Sequence, residues 1–373
     1  MTSSARAEPA RPAPTTPSCR HTPASRTSLL PQFPLPATTH KKETKMQIRF
    51  SALTRRRILA SAAAVVMAAS MTACNRGEGG EAAQRQFAVV PGSTGYFYWG
   101  TLHAGAQKAA DELGAELIWR GTATQSDITG QMNILQDFVN RKVSGIAFAA
   151  NDTQALQTIV DQAESNDIPI VSADAGIEPQ SIPLIATNNE AAAGLAADYI
   201  GEQLNGQGKV ALLPFLATSA TSQARLKGFE DQIAAKYPGI QVVATQYTDG
   251  DVNKALGIMN DILTANPDLD AVFGLNEPGV VGAVQAIEAR NADVVVVGFD
   301  NAPDEVSALQ AGTVSALVVQ DPFKIGYESV MALNKMADGE TVDEMIDTGA
   351  TLVTQENIDD PDIQKLVNPP VVN

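Results

Sequence analysis

The stretch VVVVGFDNAPD, running from Val294 to Asp304, decides the fold. Four consecutive valines cannot alternate between a wet and a dry face, so they read as a strand buried on both sides. A parallel sheet covered by helices requires such strands. The run ends at Gly298 and delivers a ring, Phe299, and a carboxylate, Asp300, to the strand's carboxyl end. Pro303 and the acids after it then open a helix. In open α/β sheets this edge is where ligands bind. The plainer alternative is a buried strand followed by a solvated capping aspartate.

Outward from this strand, short β-rich runs alternate with helical stretches from Gln86 onward. The runs are QFAVVP, AELIW, GIAFAA, IPIVSA, IPLIAT, KVALLPF, IQVVATQ, DAVFGL, DVVVVGF and SALVVQ. Between the first two, Leu102, Ala106, Ala109, Ala110 and Leu113 share one helical face, and Gly114 supplies a stop. Ile128, Met132, Leu135 and Val139 repeat the pattern after the second. Sustained strand–helix alternation predicts doubly wound parallel sheets. Ten strands suit two sheets better than one. The expected fold is therefore α/β with two Rossmann-like lobes and a break near Thr187.

The chain has 373 residues, 26 basic against 42 acidic side chains, and a net charge of −16. Such acidity argues against nucleic acid as a partner. Both cysteines, Cys19 and Cys74, precede the folded body, so disulfides and cysteine-based metal sites are not expected there. Residues 1–45 are rich in Pro, Thr, Ser and Ala and read as a disordered or untranslated extension. Met46 to Cys74 reads as an export signal. Arg55, Arg56 and Arg57 precede an apolar core from Ile58 to Ala69, too short to span a bilayer, followed by Met71-Thr72-Ala73-Cys74. This segment resembles a bacterial lipoprotein signal, which implies lipidation at Cys74 and a membrane contact through that lipid alone. The arginines also resemble a twin-arginine signal, leaving the export route open. Residues 75–85 read as a flexible tether.

Catalysis lacks material. Three histidines occur in the chain, and only His103 lies in the body, where an exposed or incidental place on a helix is expected. Nucleophile–histidine constellations and His/Cys zinc sites have no support. Pro91–Gly95 and Gly206–Val210 lack the spacings of phosphate-binding loops. The protein reads as a non-enzyme with no cofactor and no metal. The strand ends offer a binding site instead. They carry Tyr96, Tyr98 and Trp99 after the first strand, Asp174 after the fourth, and Arg225 after the sixth. Asn276, Phe299 with Asp300, and Gln320 follow the last three. Aromatic faces stack on the C–H faces of a sugar, while carboxylates, amides and a guanidinium match its hydroxyls.

Five segments carry a resemblance: AGAQKAADELG (104–114), AGLAADYI (193–200), ARLKGF (224–229), AVFGLNE (271–277) and VVGFDNAPD (296–304). Over 86–366 the sequence resembles the class I periplasmic sugar-binding proteins, which are similar to ribose-binding protein and to the effector domain of lactose-repressor-type regulators. The ending IDTGATLVTQENIDDP (346–361) is similar to that of sugar-transporter relatives. The resemblance implies a ligand held by Tyr98, Trp99 and Asp174 from one lobe and Arg225, Asn276, Phe299 and Asp300 from the other, with Gln320 at the hinge. Ala149 and Ala175 stand where ribose binders carry a polar Asn and an Arg, which disfavours ribose itself. Tyr96 and Asn151 are the compensating candidates.

The resemblance also implies three crossings between lobes, near 187–188, 320–321 and 348–350. The first lobe would be 86–187 plus 321–349, and the second 188–320 plus 350–373. The expected function is an exported, lipid-anchored, periplasm-facing, monomeric solute-binding protein. It would capture a monosaccharide or polyol and deliver it to the permease and ATPase of an ABC importer. The alternative is a sensor subunit signalling to a chemoreceptor or histidine kinase. A regulator is rejected, because an export signal stands where a helix-turn-helix belongs.

Overall fold

The structure is a computed structural model describing residues 84–372. The N-terminal extension, the export signal with Cys74 and residues 75–83 of the tether lie outside the described residues. The remaining tether residues are held by the body. The Gln84 side chain donates to the Gly114 carbonyl at 3.1 Å, and Arg85 reaches Asn334 and Asp338.

Twelve strands are present among the described residues: β1 (Gln86–Val90), β2 (Glu116–Trp119), β3 (Gly145–Phe148), β4 (Ile170–Ala173), β5 (Leu184–Ala186), β6 (Gln207–Leu213), β7 (Gly239–Thr245), β8 (Ala271–Gly274), β9 (Val295–Phe299), β10 (Ala316–Gln320), β11 (Met345–Asp347) and β12 (Ala350–Thr354). The helices are α1 (Phe97–Leu113), α2 (Ile128–Arg141), α3 (Gln157–Ser165), α4 (Asn189–Gln203), α5 (Ala220–Lys236), α6 (Val252–Ala265), α7 (Glu277–Arg290), α8 (Pro303–Ala311), α9 (Pro322–Ala337) and α10 (Pro361–Val367). All ten expected strands form. The two unexpected ones are short edge strands of mixed exposure.

Two sheets result, ordered β11-β5-β4-β3-β1-β2 and β12-β10-β9-β8-β6-β7. Every pairing is parallel except β10 with β12. Helices cover both faces of each sheet, giving two doubly wound lobes joined by three hinge strands. β9 is fully buried from Val296 to Phe299, as four valines in an inner parallel strand demand.

Helix contacts differ in closeness. In the first lobe α1 lies against α9. A Cβ on Gly105 would meet the Phe323 carbonyl oxygen at 1.9 Å, and one on Gly326 the Leu102 carbonyl at 2.0 Å. Only hydrogen fits there. In the second lobe α4 packs on α5 through Gly228, whose Cβ would meet the Glu190 carbonyl at 2.3 Å, while Gly194 has only Gln232, at 3.9 Å.

The chain's last residues return to the first lobe. The Val372 amide donates to the Gly100 carbonyl of α1 at 3.1 Å, and Val371 fills the space beside Gly100. The expectation that 350–373 stays with the second lobe is corrected at these residues, because a glycine on α1 leaves a groove that the tail occupies.

Candidate functional site

In each lobe the strand order reverses beside the first strand, at β1/β3 and at β6/β8, so connections leave for opposite faces and open a crevice at the carboxyl edge. The two crevices face each other. Between them lies a cavity of about 30 Å³, lined by Tyr96, Tyr98, Trp99, Asn151 and Asp174 from the first lobe. Arg225, Asn276, Asp300 and Gln320 line it from the second. Nine of the ten expected ligand residues therefore meet in one place.

The tenth, Phe299, does not line it, which corrects the expectation. As the last residue of β9, Phe299 keeps the strand's alternation and points into the core, whereas Asp300 lies beyond the strand. Phe299 is fully buried in the second lobe's core, and the Arg225 guanidinium carbon sits 3.6 Å from its ring centroid. Its ring is the platform on which Arg225 rests.

Two carboxylates occupy equivalent places. Asp174 follows β4 and Asp300 follows β9, both buried and both in left-handed backbone, at φ of 72° and 89°. That conformation is uncommon for a residue with a Cβ and turns each side chain out of its strand's alternation. Tyr98 donates its hydroxyl to Asp174 at 2.5 Å. Asp300 accepts from the Gln320 amide at 2.6 Å and from the Glu277 backbone at 3.2 Å. Burial raises the Asp174 carboxyl to about 6, against the opposing pull of Arg225 and the Tyr98 hydrogen bond. Asp300 is raised for the same reason, with Arg225 again opposing.

Arg225 is the nearby cation common to both. It is buried on α5, held by Asn189 Oδ1 at 2.8 Å and by the Leu275 carbonyl at 2.7 Å. Those two bonds and the Phe299 ring fix the plane of its donor fork. Tyr96 donates to the Gly250 carbonyl across the cleft. The Asn151 side chain donates to the Gly92 carbonyl at 2.8 Å, inside its own lobe. Trp99 Nε1 and Gln320 Oε1 are buried at the cavity without a protein partner.

Sequence reasoning missed Glu277, Gln125 and Phe215, which also line the cavity. Glu277 opens α7 in the second lobe but caps α1 in the first. No side chain of its own lobe caps α1, and the amides of Phe97 and Tyr98 point at Glu277 Oε1 and Oε2, each at 3.4 Å. Burial, then the neighbouring Asp300, lift this carboxyl to about 7. An acid at a helix start is routine, so nothing local marks it as a bridge. Phe215, at the end of KVALLPF, was legible by the same strand-end rule that found the others. His103, on α1 and away from the cavity, is half-buried and stacks on Trp119, centroids 4.3 Å apart, and burial lowers its pKa. Among the described residues no cluster of three or more His, Cys, Asp or Glu is arranged to hold a metal ion.

Comparison with known proteins agrees with this architecture. Residues 87–341 match the periplasmic binding protein domain family. The chain is 33% identical to the ribose import binding protein RbsB of Salmonella typhimurium over 244 residues, 65% of this chain and 81% of that protein. A carbohydrate transporter solute-binding protein from Agrobacterium radiobacter, solved with D-arabinose, superposes with a TM-score of 0.75 at 33% identity. That match covers 77% of this chain and 100% of that one. An ABC transporter solute-binding protein from Agrobacterium vitis with bound D-fucose gives 0.74 at 32%, covering 76% and 100%. Relatives that bind sugars for transport share this two-lobed architecture, and this chain is a member of the periplasmic binding protein family, among its class I sugar-binding proteins.

Proposed function

We propose that the protein captures a monosaccharide or polyol between its lobes and delivers it to the permease of an ABC importer. The observation that carries this reading is the pairing, across one cavity, of aromatic faces from the first lobe with Arg225, Asn276, Asp300 and Gln320 from the second. A ligand touching both lobes stabilises the closed arrangement over the open one, which is the only way it can shift that equilibrium. The relatives that bind D-arabinose, D-fucose and ribose support a sugar, and they support transport over the sensor alternative. The cavity is tighter than a sugar. Loading therefore requires the lobes to part and bonds such as Tyr98–Asp174 and Gln320–Asp300 to be exchanged for bonds to hydroxyls.

In this reading the ligand set is Tyr98, Trp99, Asp174, Arg225, Asn276, Asp300 and Gln320, with Tyr96 and Asn151 supporting. The lobes, 86–187 with 321–349 and 188–320 with 350–370, turn about 187–188, 320–321 and 348–350. Hydrogen bonds across the hinge, from Thr187 Oγ1 to the Gly349 carbonyl and from the Thr348 amide to the Ala186 carbonyl, support that position. The protein is exported to the periplasmic side as a monomer, and a lipid on Cys74 holds it at the membrane.

A thermal-shift screen against monosaccharides and polyols tests the reading. A ligand at 100 times its Kd adds about 2.7 kcal/mol to the folded state. A shift that disappears in Asp300→Ala locates the ligand in this cleft. Hits confined to amino acids or nucleosides would sink the sugar assignment.

A further inference from the structure

One wall of the cavity differs in chemistry from the rest. Ala149 and Ala150 stand just past β3 and Ala175 just past β4, and all three are buried and line the cavity. The two strand ends join here, since the Ala150 amide donates to the Ala175 carbonyl at 3.0 Å.

The wall's hydrogen-bonding groups are already committed inside the lobe. The Ala149 amide donates to the Val90 carbonyl at 3.0 Å and the Ala175 amide to the Ala173 carbonyl at 2.9 Å. The fully buried Gln131 closes the remainder. Its Nε2 donates to the Ala149 carbonyl at 2.7 Å, and its Oε1 accepts the Asn151 amide at 3.2 Å. Asn151 Nδ2 is taken by Gly92. The backbone amides of Ala149, Ala150 and Ala175 are all spent, and the Ala149 and Ala175 carbonyls each already accept one bond. The unspent polar atoms lie elsewhere around the cavity, at Trp99 Nε1, Gln125 Oε1 and Gln320 Oε1.

A ligand in this cavity thus meets one wall that has no free backbone amide to offer it. A hydroxyl pressed on this wall meets no free backbone amide and only carbonyls that already accept a bond, whereas a methyl group gains burial. We propose that Ala149, Ala150 and Ala175 are specificity-determining residues, and that the site selects 6-deoxyhexoses, which carry a methyl group in place of the hydroxymethyl of ordinary hexoses. The inference rests on the sugar-binding reading above and names the substrate class within it.

The test is calorimetric titration of the full-length protein with matched pairs: D-fucose and D-galactose, L-rhamnose and L-mannose, 6-deoxy-D-glucose and D-glucose. In the pair whose ring stereochemistry fits, the methyl sugar is expected to bind roughly 10- to 100-fold tighter, the range over which an apolar pocket discriminates against an added hydroxyl. Ala175→Ser and Ala149→Ser, each placing a hydroxyl on the wall, are expected to shrink that ratio while the protein stays folded by circular dichroism. Equal or tighter binding of the hydroxymethyl partner overturns the proposal, as does a ratio untouched by both variants. Binding of pentoses or polyols with no response to any pair overturns it while leaving the sugar-binding reading intact. Silence to every sugar and polyol removes both.

Discussion

The two lobes share one strand order and differ in what they present to the cleft. Strand for strand, β2-β1-β3-β4-β5-β11 matches β7-β6-β8-β9-β10-β12. Even the carboxylates correspond, Asp174 and Asp300 both standing in left-handed backbone one residue past the fourth strand of their lobe. Yet the first lobe offers rings and alanines, while the second offers Arg225, Asn276 and Gln320. A repeated topology fixes where side chains emerge. The residues at those points then decide what each side contributes. Here three of the cavity's rings and all its alanines come from the first lobe, while its single guanidinium comes from the second.

The largest break in this division would come from Arg225→Ala. It removes the nearby cation that offsets burial at both Asp174 and Asp300. Leaving buried charge without its partner costs about 3–5 kcal/mol. Chemical denaturation should show that loss, and Arg225→Lys should recover little of it, because an ammonium cannot hold the Asn189 and Leu275 contacts together while lying flat on Phe299. Full recovery by lysine would mean that charge alone matters.

Glu277→Gln sharpens the comparison at the one carboxylate that serves both lobes. The ordinary value of 4.5 rises to about 7 in the folded protein. Between these values the native state holds a proton that the unfolded chain has released. The contribution is therefore complete below pH 4.5 and disappears as pH rises through 7. Asp174, raised from 3.8 to about 6, adds a decline of the same sign at lower pH. The glutamine variant should flatten the upper part of the profile and gain on the order of 3 kcal/mol at pH 8, at 1.36 kcal/mol per unit over the shift from 4.5 to about 7. Urea midpoints at pH 5 and pH 8 read this, and parallel profiles for the two proteins would refute it.

Smaller effects separate the helix layers. Gly326→Ala puts a methyl group into the Leu102 carbonyl and should cost about 1–3 kcal/mol through overpacking in the first lobe. Gly194→Ala, in the open α4 surface of the second lobe, should stabilise by roughly 0.5–1 kcal/mol, since alanine suits a helix interior better. Melting temperatures moving the same way in both variants would contradict the difference in closeness between the two contacts.

The strands were legible because inner parallel strands are continuous apolar runs, and VVVVGF is an extreme case. Met345–Asp347 and Ala350–Thr354 were not, because edge strands of mixed exposure carry no such run and their partners lie far away in sequence. The cleft was legible as a set of strand ends. Within it, Phe299 was misplaced, because a ring at a strand end can turn either to the cleft or to the core and here it joins the core. Glu277 was invisible for a different reason, since the amides it caps lie about 180 residues earlier in the chain. Helix capping between lobes leaves no local trace.

Both ends of the folded body are fastened to the first lobe, Gln84 and Arg85 at Gly114, Asn334 and Asp338, and Val372 at Gly100. Mechanically, that lobe is the stator and the second lobe the rotor. In the proposed closure, anything joined to the chain before Gln84 moves with the first lobe, and the second lobe is the part that swings. A reporter on either end would stand still during closure. One attached at the far surface of α6 would travel the full arc.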